Sequence, residues 1–168
     1  MEVWTVGHSN HSREKFLELL AQHKIDVLVD VRSRPRSRFA QFNRDALLES
    51  VKSVGVKYLF GGLALGGMSN YGPLDDLFVS KMDTILQMAD MGSRVAMMCS
   101  EGKPCECHRA GKLTAWVHRE RKAVKTTHIM PNGDLEDART YEPKVLKGVQ
   151  WPAFRPWDKG QLAFDFKA

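Results

Sequence analysis

With 168 residues, 43% hydrophobic and 27% charged, the chain has the makeup of a globular domain with a sizeable core, which excludes a disordered or fibrous polymer. No apolar run is long enough to span a membrane, and no basic stretch followed by an apolar one opens the chain, so the expected location is the cytoplasm. The net charge of +5 leans towards a polyanionic partner, and three cysteines confined to residues 99–107 favour thiol, metal or redox chemistry over a secreted disulfide framework.

The first expected element is a strand over Glu2–Val6, ending at Gly7-His8-Ser9-Asn10. Ser12 can cap a helix that carries Phe16, Leu17, Leu19 and Leu20. Ile25–Val31 is almost wholly aliphatic, as a strand covered on both faces would be. Asn43 is expected to cap a helix built on Leu47, Leu48 and Val51, with Gly55 beyond its C-terminus, before a strand over Val56–Phe60. Residues 61–67 form a glycine-rich, flexible connector. A helix from about Pro73 to about Met91 precedes a strand over Val95–Cys99, and another helix is expected from about His108 to Arg121.

Lys125–Ile129 reads as a further strand, and Pro131-Asn132-Gly133-Asp134 as the turn of a hairpin. Alternating strands and helices imply an α/β three-layer sandwich, a mostly parallel sheet of about five strands with helices on both faces. Residues 1–148 form its single domain. Residues 149–168 are expected to be an aromatic, proline-containing tail, holding Trp151, Phe154, Trp157, Phe164 and Phe166.

Chemistry-bearing residues gather where strands end, the rim at which open α/β sheets bind ligands. Arg32, Arg34, Arg36 and Arg38 alternate through seven residues after the second strand. Guanidinium forks match phosphate bidentately, so Arg32, Arg36 and Arg38, with Ser9, Asp30 and Arg109, are the candidate substrate- and phosphate-binding residues. The bland alternative is a solvated basic loop. His8 is a candidate general base or merely a hydrogen-bonding support, since imidazole titrates near neutrality.

The segment Cys99-Ser-Glu101-Gly-Lys-Pro-Cys105-Glu-Cys107-His108-Arg109 has three readings. In the first, Cys99 is a nucleophile, with Glu101, His108 and His8 completing the catalytic set and Arg109 stabilising anions. The Cys-x5-Arg phosphate loop of thiol phosphatases has no match, because Cys105 stands where its arginine would be. In the second, Cys99, Cys105, Cys107 and His108 hold a metal, although their spacing fits no common zinc pattern. In the third, Cys99 is a small buried hydrophobe and Cys107 fills the helix start.

Several of these motifs, in order, resemble one family. They are Thr5–Asn10, Leu28–Ser33 with Pro35, Ser37-Arg38 with Phe42-Asn43, and Cys99-x-Glu101 with Cys107-His108-Arg109. Across roughly residues 3–142 the chain is similar to the bacterial and archaeal domain of unknown function 488 (DUF488). The resemblance implies an α/β sandwich in which His8, Asp30, Arg32, Cys99, Glu101, Cys107, His108 and Arg109 meet at one polar pocket. It implies no particular reaction or cofactor, and Cys105 is not part of the family pattern.

The expected function is therefore a cytoplasmic enzyme acting on a phosphate-bearing substrate, a nucleotide or nucleic acid, at that pocket. The alternative is a non-catalytic DNA-repair module that binds nucleic acid through the arginine loop. Near the C-terminus, Gln161, Leu162, Phe164 and Phe166 resemble the short peptide by which replication and repair proteins dock on the DNA sliding clamp, one amide and several apolar anchors entering a groove. Their bland alternative is to cover an apolar patch of the chain's own domain.

Overall fold

The computed structural model describes residues 1–69, 72–73 and 75–141; the tail with Gln161, Leu162, Phe164 and Phe166 lies outside the described residues. Five strands run parallel: β1 (Glu2–Gly7), β2 (Val27–Asp30), β3 (Lys57–Phe60), β4 (Val95–Cys99) and β5 (Lys125–Ile129). A sixth, β6 (Leu135–Asp137), pairs antiparallel to β5, giving the order β3-β2-β4-β1-β5-β6. The turn before it uses Gly133 at φ 93°, a left-handed conformation that glycine adopts without a Cβ clash.

Period-two alternation divides the core between the faces of the sheet. On one face, Trp4, Val6, Leu28, Ala96 and Met98 pack under α1 (Arg13–Gln22) and α2 (Arg44–Ser53) through Phe16, Leu20, Leu47 and Val51. On the other, Val27, Val29, Val95, Met97 and Cys99 meet Phe78, Met82 and Ile85 of α4 (Asp76–Asp90) and Trp116 and Val117 of α5 (Ala115–Glu120). The expected three-layer α/β sandwich is thus present. No helix among the described residues is long and apolar enough to cross a membrane.

Four local expectations change. The glycine-rich connector winds into a short helix, α3 (Gly62–Leu65), because Ala64 and Leu65 are drawn into the core. Asn43 precedes α2 as expected but does not cap it; its Oδ1 accepts from Ser37 N at 2.9 Å and pins the arginine loop instead. The fourth helix starts at Asp76 rather than Pro73. The expected helix over 108–121 begins as a wide π-helical segment, Arg109–Thr114, and becomes α-helical only at Ala115. Such widened turns are frequent at functional sites.

Candidate active site at the carboxyl rim of the sheet

The residues expected to share one pocket separate into two clusters on opposite faces of the sheet. His8 follows Val6 by two positions, and Asp30 follows Leu28, so both fall on the face covered by α1 and α2. Cys99 follows Met97 and falls on the α4–α5 face. The two groups meet along the rim, where His8 N donates to Cys99 O at 3.0 Å and Ser9 N to Ser100 O at 2.9 Å. Ser9 itself takes a left-handed backbone, φ 48°.

The first cluster is closed. Arg32, 3% exposed, forks onto Asp30 with Nε at 2.9 Å from Oδ1 and Nη2 at 2.6 Å from Oδ2. Its Nη1 donates to Phe42 O at 2.8 Å and lies 3.3 Å from His8 Nε2. Tyr58 Oη donates to the same Asp30 carboxylate at 2.8 Å. His8 stacks on Phe42 and donates from Nδ1 to Ser9 O at 2.9 Å, which leaves Nε2 as the acceptor for Arg32. Burial, and secondarily the Arg32 charge, pushes His8 down to about 4, so the ring is neutral. Arg32, expected on substrate phosphate, and His8, expected as a base, thus both have their polar atoms committed to protein partners. Together they anchor the root of the arginine loop.

The second cluster holds the thiols. Cys107 has an extended backbone immediately ahead of the helical segment, so its Sγ accepts from Arg109 N at 3.4 Å in the manner of a capping side chain. Arg109 then folds back, placing Nε 3.1 Å from the same sulfur. Its Nη2 donates to the carbonyls of Glu101 and Gly102, and Nη1 is buried with no hydrogen-bond partner. The guanidinium is fully buried, and no carboxylate among the described residues pairs with it. Gly7 makes room for this arrangement: a Cβ there would stand 1.8 Å from Glu101 O.

Cys99 supplies the next link. Its Sγ lies 3.7 Å from His108 Nδ1, and His108 Nε2 donates to Val31 O at 3.1 Å, which fixes Nδ1 as an acceptor. The hydrogen bond from Cys99 and then the Arg109 charge outweigh burial and pull the Cys107 thiol down to about 6. Cys99 moves the opposite way, raised by its bond to Cys107 and by burial. His108 is lowered to about 4, chiefly by burial, and is neutral near pH 7. The Arg109 contact therefore favours ionisation at Cys107 over Cys99.

Sγ of Cys99, Sγ of Cys107 and a ring nitrogen of His108 lie within 4.8 Å of one another. Cys105, the fourth member of the candidate metal set, is exposed in the loop and stands apart from them. The donor set suits a soft cation by type, but the Arg109 guanidinium already occupies Cys107 Sγ and opposes a second positive charge there. Glu101 is exposed and enters the cluster through its carbonyl.

Beyond Arg32 the loop opens into a cavity of about 800 Å³, lined by Ser33, Arg34, Arg36, Asn43, Arg44 and Asp45. Arg38 lies against Phe39 and is not part of this lining. The cavity and the thiols are linked through the backbone: Val31 O holds His108, and Ser33, two residues on, lines the cavity.

Sequence reasoning placed Arg34 in the arginine loop without naming it as a binding residue, and missed Arg44. It gave Cys107 a packing or metal role or, through the family resemblance, a place in the pocket, but not the role of nucleophile. The signal for Cys107 was its spacing, a capping-type side chain two residues before an arginine.

No curated protein and no solved structure matches the chain. The family model described as "Domain of unknown function DUF488" matches residues 12–70, which contain Asp30, Arg32 and the arginine loop; His8 and the thiol cluster lie outside the matched stretch. Over residues 12–70, the chain is therefore similar to the DUF488 family.

Proposed function

We propose that the protein is a cytoplasmic thiol enzyme acting on a phosphate-bearing substrate, a nucleotide or nucleic acid, with Cys107 as its nucleophile. The observation that carries this reading is the buried Arg109 guanidinium, which has no carboxylate partner among the described residues and touches Cys107 Sγ. A buried cation is stable when an anion answers it, and the thiolate is that anion. Arg34, Arg36 and Arg44 supply the phosphate-binding surface. Asp30 and Arg32 hold the loop that carries it.

A non-catalytic nucleic-acid-binding module would use the same arginine surface and would have no use for a thiolate. The two readings separate in a protection experiment. Nucleoside mono-, di- and triphosphates and short oligonucleotides are screened for slowing the alkylation of Cys107 by iodoacetamide. Protection by one phosphate-bearing class, abolished by Arg34→Glu with Arg36→Glu, supports the enzyme. Oligonucleotide binding by anisotropy without protection of Cys107 supports the binding module. Absence of both removes the phosphate reading.

A further inference from the structure

We infer that Cys99 and Cys107 form a redox couple, in which Cys99 resolves a mixed disulfide made at Cys107 and closes an intramolecular disulfide. The inference rests on Cys107 being the nucleophile and adds a co-substrate class, the disulfide of a small thiol. The two sulfurs belong to one group whose ligand atoms lie within 4.8 Å of one another. Closing to a disulfide bond of about 2.05 Å requires one sulfur to approach the other. Cys99 is held at the end of β4, paired with β1. Cys107 follows a short 3₁₀ turn, Pro104–Glu106, outside the sheet, so the loop can carry its sulfur inward.

The proton has a destination as well. His108 Nδ1 bears a lone pair, because Nε2 carries the hydrogen given to Val31 O, and this lone pair faces Cys99 Sγ at 3.7 Å. In the first step the Cys107 thiolate attacks a small disulfide, forming a Cys107–S–S–R bond and releasing one RS⁻. In the second, Cys99 passes its proton by way of His108 Nδ1 to the RS⁻ already released, and its thiolate attacks Cys107 Sγ. The S–S bond to R breaks, and the second RS⁻ leaves and takes up a proton. Two electrons pass from the protein dithiol to the small disulfide, which is reduced to two thiols. Cys105 is exposed and apart from the pair, and takes no part in it.

The full chain is incubated with oxidised glutathione at pH 7, and its thiols are located by trapping and peptide mass spectrometry. The expected products are a Cys99–Cys107 disulfide in the wild type and a persistent glutathione adduct at Cys107 in Cys99→Ser and Cys99→Ala. Cys107→Ser should react at Cys99 at least about tenfold more slowly than the wild type does at Cys107, since a neutral thiol is a poor attacking group. A lasting adduct at Cys107 in the wild type, or pairing through Cys105, overturns the couple. If Cys107 is alkylated rapidly by iodoacetamide in the same preparation yet no Cys99–Cys107 bond forms, the couple fails and the nucleophile stands. If Cys107 reacts no faster than free glutathione, both fail.

Discussion

Arg109 Nε stands 3.1 Å from Cys107 Sγ, and no carboxylate among the described residues answers its charge, so the buried guanidinium is paired with a half-buried sulfur within three consecutive residues. Replacing the arginine tests the pair. Arg109→Met should shift the midpoint of Cys107 alkylation from about 6 towards the ordinary thiol value of about 8.5. Arg109→Lys should recover part of the shift but lose the fork that also holds the Glu101 and Gly102 carbonyls. Rate–pH profiles of the two variants check both outcomes.

The other buried pair, Asp30 with Arg32, has a different expected signature. Asp30→Asn leaves a guanidinium at 3% exposure without its counter-charge, a change that costs about 3–5 kcal/mol when one partner of a buried pair is lost. Denaturant unfolding measures that loss. Alkylation of Cys107 in the folded fraction should keep its wild-type midpoint, because the two clusters lie on opposite faces of the sheet.

Gly7 connects β1 to the thiol loop by having no side chain. Gly7→Ala would set a Cβ against Glu101 O, so the loop that receives Arg109 must move. The expected result is a loss of about 1–3 kcal/mol, typical of overpacking a close contact. The midpoint of Cys107 alkylation should rise with it. Thermal melts and the same pH profile report the two effects.

Acid should weaken the fold within a defined window. His8 and His108 are pushed from 6.5 down to about 4, and His128 to about 3, in each case chiefly by burial. The unfolded chain therefore binds more protons than the native one between these values and 6.5, and stability falls as pH drops through that range. Each histidine contributes up to about 1.4 kcal/mol per pH unit. Unfolding free energies measured from pH 7 to pH 4 should decline more gradually in His8→Gln, which has no ring to protonate.

Much of this architecture was legible from the chain alone, because strands such as Val95–Cys99 and Lys125–Ile129 are short apolar or β-branched runs bounded by turn residues. The rim at which they end was legible for the same reason. What the sequence hid was the face each side chain takes. His8, Asp30 and Arg32 all lie at or just beyond strand ends, as Cys99 does, yet a one-residue difference in alternation sends them to the opposite side of the sheet. Choosing between thiols was harder still. Cys99 and Cys107 are equivalent by composition, and the folding back of Arg109 onto Cys107 is what distinguishes them. Asn43 shows the same limit on a smaller scale, since it occupies the capping position but spends its carbonyl oxygen on Ser37 N.

The most direct test is a site-resolved profile of iodoacetamide alkylation from pH 4 to pH 10, read by peptide mass spectrometry on the native chain. Cys107 should gain reactivity through a midpoint near 6 and then level off, while Cys99 stays unlabelled over the same interval. A Cys107 midpoint at or above about 8.5, or labelling of Cys99 ahead of Cys107, would contradict the assignment of the thiolate.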